Sequence, residues 1–208
     1  MHITIIGAGS GVGYEATLQA LENGYKVTAL SLHHDKLPDQ TNLIKIKGSA
    51  TNSQDVAIAI KNADAVLITI GTKQKKGTTL FSSMAKAVVT ASEQLNYNRP
   101  IIVISGFGVG EGYRYVNLFM RFVISLFLKD QYKDKKLMED AFTKSNSSWE
   151  IVQPGMLSNS PQTSKYNTYS SFTKGMNVGK ISRKDLADFM IKEAINPQYL
   201  KKKVVVTY

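Results

Sequence analysis

The 208-residue chain contains no cysteine. That one absence removes disulfides, thiolate metal sites and cysteine nucleophiles together, and it fits an expected cytoplasmic setting. Histidine is nearly as scarce, with His2 and the adjacent pair His33-His34 making up all three. Neighbours in a turn seldom share one ion, so no metal site is expected. No run is long and apolar enough to span a bilayer; the most hydrophobic stretch, Tyr115 to Leu128, is short and carries Arg121 in its middle. No basic leader with a cleavage site precedes the first apolar run, Ile3 to Ile6. Long blocks of one charge are missing too. The net charge is +10, yet the lysines are scattered, with tight clusters only at 73–76, 133–136 and 201–203. Each cluster reads as a solvated loop or helix face, so no specific nucleic-acid partner is expected. What is present is an ordinary globular composition, 43% hydrophobic and 20% charged, at a length that suits one domain with a sizeable core.

Glycine is concentrated where it can matter most. The apolar run Ile3-Thr4-Ile5-Ile6 ends in Gly7, Gly9, Gly11 and Gly13, at alternate positions, and a helical segment follows from Tyr14 to Leu21. Gly24 closes that helix, and Lys26 to Leu30 reads as a second strand. Strand, tight turn, helix and strand in this order form the opening half of a dinucleotide-binding unit. Glycine serves three needs there: positive φ in the turn, close approach of backbone to a pyrophosphate, and tight packing of helix on sheet. The helix N-terminus adds unpaired N–H groups and a positive dipole for the phosphates. The spacing is Gly7-x-x-x-Gly11-x-Gly13; the commoner fingerprint would need glycine at position 12, which is Val12. Gly7, Gly9, Ser10, Gly11, Val12 and Gly13 are therefore the expected cofactor-binding turn.

The end of the second strand bears on which dinucleotide binds. An acid here suits the ribose 2′-OH of NAD, and a basic group suits the 2′-phosphate of NADP. No acid occupies positions 30 to 34, while Ser31, His33, His34 and Lys36 can surround a phosphate. NADP is favoured over NAD. Further strands are expected at 43–46, 65–70, 101–104, 149–153 and 204–206, with helices at 53–61, 79–96 and up to Lys144. Ala65 to Ile70 is almost wholly apolar, as a strand buried on both faces of a parallel sheet requires. It runs into Gly71 and Thr72, at the carboxyl edge where open α/β sheets bind ligands. The expected architecture is a three-layer α/β/α Rossmann fold with a doubly wound, mainly parallel sheet. Residues 158–180 are rich in Ser, Thr, Asn and Tyr, and a short hairpin carrying Tyr166, Tyr169 and Phe172 is expected. Ser182 and Asp185 have the spacing of a helix-capping pair. Tyr115 to Leu128 is apolar nearly all round, which fits a buried helix, a lid, a homodimer surface or an interfacial membrane helix. Packing on the protein's own body is the first expectation.

The chain resembles the atypical short-chain dehydrogenase/reductases, in the branch containing the biliverdin reductase B/flavin reductase type. The residues that carry the resemblance run from Gly7-Ala8 to Gly13, through Asp64-Ala65-Val66 leading to Gly71, to Ser105 at the end of the fifth strand. They continue with Asp130-x-Tyr132-x-Asp134-Lys135 and Glu139, Trp149 to Gly155, and Ile181-Ser182-Arg183-Lys184-Asp185-Leu186-Ala187. The resemblance implies a single NAD(P)-binding domain over 1–208, with 107–133 and 156–180 as substrate-side or lid segments. It implies nicotinamide near Ser105 and near Pro154, Gly155 and Met156, with Gly71 and Thr72 beneath the bridging phosphates or the nicotinamide ribose. Departures are visible: Leu32 stands where relatives commonly carry Arg, Ser49 where they carry Asp, and Gln153 where they carry Arg.

Carbonyl reduction in that superfamily uses a Tyr proton donor, a Lys that lowers its pKa and a Ser that holds the oxygen. Ser105, Tyr132, Lys135 and Lys136 are the candidates, since positions three and four apart both meet on a helix. Flavin reduction asks for less, because orientation against the nicotinamide carries most of the catalysis. The functional expectation is an NAD(P)H-dependent reductase of a flavin, quinone or similar conjugated acceptor. The alternative is a non-catalytic NADP-binding redox sensor that signals through a protein partner.

Overall fold

The computed structural model describes residues 1–173 and 176–208; two positions of the 156–180 segment, 174 and 175, lie outside the described residues, as does the side chain of Phe119. The chain opens with β1 (His2–Ile6), α1 (Gly11–Glu22), β2 (Lys26–Ser31), β3 (Leu43–Lys47), α2 (Ser53–Ile60), β4 (Ala65–Ile68), α3 (Leu80–Gln94) and β5 (Ile101–Ile104). A 3₁₀ turn, Gly110–Tyr115, leads to α4 (Leu118–Val123) and a π-helical turn, Ile124–Leu128, which passes into α5 (Lys129–Lys144). The rest comprises β6 (Trp149–Pro154), β7 (Met156–Ser158), β8 (Asn167–Tyr169), β9 (Lys180–Ser182), α6 (Arg183–Ile195) and β10 (Lys203–Thr207).

The main sheet has the order β3-β2-β1-β4-β5-β6-β10-β8. All its pairings are parallel except β10 with β8. This is the doubly wound architecture the sequence implied, with the order reversing at β1. Alternation along the strands feeds two separate cores. Ile3 and Ile5 pack with Ala16, Ala20, Leu186 and Met190 of α1 and α6. Ile6 faces the opposite layer with Val56, Ile60, Met84 and Phe142 of α2, α3 and α5. Both faces of β4 and β5 are fully covered, so every residue of each is buried.

Three expectations need correction. The fourth strand ends at Ile68 rather than Ile70, because Thr69 turns its hydroxyl back to the carbonyls of Ile6 (3.0 Å) and Gly7 (3.3 Å). No hairpin holds Tyr166 and Tyr169: β8 pairs antiparallel with the distant β10, and β7 pairs parallel with β9. Polar side chains fold this segment instead, since Asp185 accepts from Thr163 N (2.9 Å), Ser164 N (2.6 Å) and the Tyr208 hydroxyl (2.5 Å). Ser182 caps α6 as expected, its Oγ accepting from Asp185 N at 2.9 Å and donating to the Asp185 carboxylate at 2.9 Å, while Ser182 N donates to the Tyr208 hydroxyl. Third, the 115–128 segment packs only partly on the body. Val116 and Ile124 are buried, whereas Leu118, Phe122, Leu126 and Phe127 are exposed.

One buried pair yields a pH prediction. Among the described residues, both oxygens of Glu150, on β6, are buried with no N–H or hydroxyl donor, and the neighbouring polar group is the carboxyl of Glu193 on α6. A proton on Glu150 supplies the missing donor. Burial, then the charge of Glu193, hold the Glu150 pKa well above the usual carboxylate range. Because the folded value is the raised one, its contribution to stability is complete below the unfolded carboxylate pKa. It is lost as pH rises toward the folded value. Glu150→Gln keeps the shape and carries a permanent donor. The variant should gain in melting temperature relative to the parent as the buffer moves from about pH 5 to about pH 9. Parallel melting curves across that range would show that no proton is shared.

Candidate functional site

The ends of β1, β4, β5 and β6 stand side by side at one edge of the sheet, a span of about 14 Å at ordinary strand spacing. Gly7 (φ +92°) turns the chain out of β1, and its N–H donates to Leu30 O at 2.8 Å. A Cβ on Gly13 would lie 2.3 Å from both Gly7 O and Thr69 Oγ1. One on Gly9 would lie 2.3 Å from His33 O and 2.7 Å from Ser31 Oγ. These two glycines therefore seal the turn against the protein. Gly11 (φ +59°) and Gly71 face the other way: among the described residues, Arg183 Nε, at 3.9 Å, is all that a Cβ on Gly11 would meet, and a Cβ on Gly71 would meet nothing within 4 Å. Helix α1 starts at Gly11, and the Ser10 hydroxyl leaves its first N–H groups uncapped. Closed beneath and open above, with donors aimed outward, the turn fits a diphosphate.

Ser31 and His33 lie at the rim of this turn, and Ser31 Oγ accepts weakly from His33 N at 3.4 Å. His34 follows, half-buried. Its Nε2 is buried without a partner among the described residues, and desolvation lowers its pKa against the raising influence of the Ala29 backbone. Thr72 is engaged within its own loop, its Oγ1 accepting from Gln74 N at 3.0 Å. Pro154 ends β6, with its carbonyl taking Phe107 N at 3.1 Å. Gly155 admits the carbonyl of Gly179 so closely that a Cβ would sit 2.5 Å from it, and Met156 beyond it is exposed.

Helix α5 supplies most of the remaining groups. Ser105 is 1% exposed, and its hydroxyl donates to Glu139 Oε1 at 2.6 Å. Lys135 Nζ donates to Ser105 O at 2.7 Å and lies over the Phe81 ring at 5.1 Å. Burial of this ammonium pulls its pKa down to about 8, against the raising influence of Glu139. Tyr132 donates to Phe107 O at 3.0 Å, and desolvation raises its pKa to about 12. Tyr132 and Lys135 both border Gly106, whose Cβ would lie 3.8 Å from Tyr132 Oη and 3.4 Å from Lys135 Nζ. Lys136 points elsewhere, to Asp140 at 2.5 Å, on the next turn of its own helix.

Sequence reasoning missed what the rest of α5 does. Asp130 Oδ2 accepts from Gly77 N (2.8 Å), and Asp134 Oδ2 from Phe81 N (2.8 Å), at the start of α3. Gln131 donates to Gln74 O at 2.8 Å. These residues fasten the loop after β4. Beneath that loop lies an open pocket of about 450 Å³ lined by Thr51, Gln74, Gly77, Thr78, Thr79 and Ser83 among others. Arg183 was also missed. Its Nη1 donates to Asn159 Oδ1 at 2.7 Å, and this contact holds the guanidinium beside Gly11.

A glycine turn at the switch point of a 3-2-1-4-5-6 parallel sheet defines a Rossmann-type nucleotide-binding protein. The chain belongs to the NAD(P)H-binding family, whose pattern it matches over residues 7–197. Solved structures repeat the whole fold at low identity. A wide-type short-chain dehydrogenase/reductase from Veillonella parvula DSM 2008, in complex with NADP, superposes with a TM-score of 0.84 at 18% identity, covering 100% of this chain and 94% of that one. The anaerobilin reductase ChuY from Escherichia coli O157:H7 gives 0.82 at 21%, covering 100% and 97%. A Streptococcus pneumoniae TIGR4 protein to which NADH-flavin reduction is ascribed gives 0.77 at 19%, covering 100% and 99%. The fold of these structures is thus repeated along the entire chain. Among the described residues, no helix is long and apolar enough to cross a membrane, and no cluster of acidic or histidine side chains suits a metal.

Proposed function

We propose that the chain is an NAD(P)H-dependent reductase that passes hydride to a flavin, quinone or similar conjugated acceptor. The observation that carries this reading is how the dehydrogenase-type side chains are committed. Ser105 Oγ is spent on Glu139, Lys135 on a backbone carbonyl, and Tyr132 on another. Among the described residues no lysine bonds Tyr132 to lower its pKa, and burial raises it instead. A carbonyl substrate needs a proton delivered to its oxygen as hydride arrives. A flavin or quinone accepts hydride into a conjugated ring and takes its proton from water, so it tolerates such a site.

The dinucleotide would run from the rim of Ser31 and His33, across the glycine turn and Gly71, toward Ser105, Gly106 and the Pro154-Gly155-Met156 turn. When bound, its nicotinamide supplies the hydride. The chain's own groups bind and orient: the α1 N-terminus with Arg183 holds the diphosphate, and the hydroxyl-rich pocket under the 72–79 loop takes the adenine end. The preference for NADP over NAD rests on the lack of an acid at positions 30 to 34, Asp35 coming late for the ribose, and on the exposed Lys36 and His33. Segments 107–133 and 156–180 would form the acceptor side, where Phe107 and Tyr115 gather around Phe172 with ring centroids 6.3 and 5.3 Å from it.

The same committed side chains also suit a protein that binds NADP without turning it over, and one experiment separates the two. Fluorescence titration with NADPH and NADH should show tighter NADPH binding. Adding flavin mononucleotide or a soluble quinone should then bleach the nicotinamide absorbance. Binding without oxidation across a panel of acceptors would give the site to a sensor, and tighter NADH binding would overturn the NADP preference.

A further inference from the structure

We propose that α4 and the π-helical turn after it form a peripheral docking surface for an anionic lipid bilayer. Leu118, Phe122, Leu126 and Phe127 are 82%, 61%, 59% and 48% exposed. The spacing of four puts Leu118, Phe122 and Leu126 on successive turns of one helical face, and Phe127 widens the exposed apolar surface at the next position round the π-helical turn. The opposite face is fixed to the body, because Val116 and Ile124 are buried over Gly108 beside the Tyr132 ring. The segment is thus held in place while a row of large apolar groups meets water.

Charge is kept off that row and gathered around it. Arg121 is the one charged residue between 115 and 128. It turns back, with Nε donating to Val116 O (2.9 Å), Nη2 to Arg114 O (2.6 Å), and its guanidinium over Tyr113 at 5.4 Å. Lys75 lies over the Phe127 ring at 5.5 Å, and Lys73 and Lys76 flank it in the same exposed loop. That loop is pinned beside α5 by Gln131 and Asp130. Exposed Lys129 and Lys133 follow directly on α5, and exposed Arg114 precedes the row. Against these cations stand Glu111 and Asp130, and the latter already accepts from Gly77 N.

An apolar row rimmed by lysines is the arrangement that seats side chains at the headgroup and acyl boundary while phosphates take the cations. A second copy of the chain fits less well, since it would bring the same lysine loop against itself. Net charge +10 adds long-range attraction to an anionic surface. With no helix among the described residues able to cross a membrane, the surface lies on the bilayer.

The test is sedimentation of the full chain with extruded vesicles of phosphatidylcholine, alone or with about one third phosphatidylglycerol. Anionic vesicles should raise the bound fraction about tenfold or more, and added salt should release much of it. Phe122→Ser with Leu126→Ser should abolish the gain while circular dichroism and melting temperature stay unchanged. Should that variant fold poorly, Lys73→Glu with Lys76→Glu, in an exposed loop, should remove binding while the apolar row stays as it is. No binding to anionic vesicles overturns the proposal, as does binding that ignores both variants. Concentration-dependent self-association that Phe122→Ser with Leu126→Ser removes, without vesicle binding, would make a second copy the occupant.

Discussion

Gly13→Val should abolish dinucleotide binding, with NADPH affinity down by two orders of magnitude or more in a fluorescence titration. A first side-chain carbon at this position would sit 2.3 Å from Gly7 O and from Thr69 Oγ1. Neither atom can yield cheaply. Gly7 belongs to the turn itself, and Thr69 is held by its bonds to the Ile6 and Gly7 carbonyls. Helix α1 must therefore slide away from the sheet, and its N-terminal N–H groups move with it. Overpacking of this kind costs about 3 kcal/mol, a drop in melting temperature of roughly 6–12 °C for a chain of this length. Gly71→Val is the counterpart. The space around its first side-chain carbon is empty of protein, so stability should change by about 0.5 kcal/mol or less. If the dinucleotide crosses Gly71, affinity falls in that variant without loss of stability. Retained binding in Gly13→Val would sink the cofactor placement altogether, and normal binding in Gly71→Val would move its path off β4.

Why Gly13 could be singled out from sequence, and Glu139 could not, is a matter of range. The need for glycine at 7, 9 and 13 is set within one strand-turn-helix unit, so spacing alone exposes it. Strands such as Ala65–Ile68 and Ile101–Ile104 were legible because burial on both faces writes a continuous apolar run. The polar residues of α5 act at long range. Asp134 reaches back to Phe81, and Glu139 reaches Ser105 and Lys203, and no local pattern reveals such partners. Tyr132, Lys135 and Lys136 illustrate the same limit. Helical spacing allows either lysine to meet the tyrosine, yet Phe81 and the Ser105 carbonyl capture Lys135, and Asp140 captures Lys136. The 115–128 segment failed for another reason. Hydrophobicity all round a helix says that apolar faces exist, and only the surrounding elements decide which of them is covered.

Glu139→Ala should be among the most damaging substitutions in the chain. This carboxylate is fully buried on α5 and ties the helix to three strand ends. Its Oε1 accepts from Ser105 Oγ (2.6 Å) and Gln153 Nε2 (2.8 Å), and its Oε2 from Lys203 Nζ (2.6 Å). Alanine would leave three donors, one of them a cation, with no acceptor. Ser105 and Gln153 are buried, whereas Lys203 is 30% exposed at its side chain and can turn to water, so the cost sits at the low end for a broken buried pair, about 3 kcal/mol, or roughly 6–12 °C in melting temperature. Removing both charges should cost less. In Glu139→Gln with Lys203→Met no ion is stranded, and Gln153 Oε1, buried without a donor, can accept from the new amide. A double variant as unstable as Glu139→Ala would show that the carboxylate matters for packing rather than for pairing. Ser105→Ala completes the argument. Losing one hydrogen bond to a buried carboxylate costs about 1.5–3 kcal/mol. If the hydroxyl serves only Glu139, the variant melts earlier while its turnover with a flavin or quinone stays within a few-fold of the parent. A turnover loss of a hundredfold with an unchanged melting temperature would instead mean that Ser105 leaves Glu139 during reaction and acts directly on the acceptor.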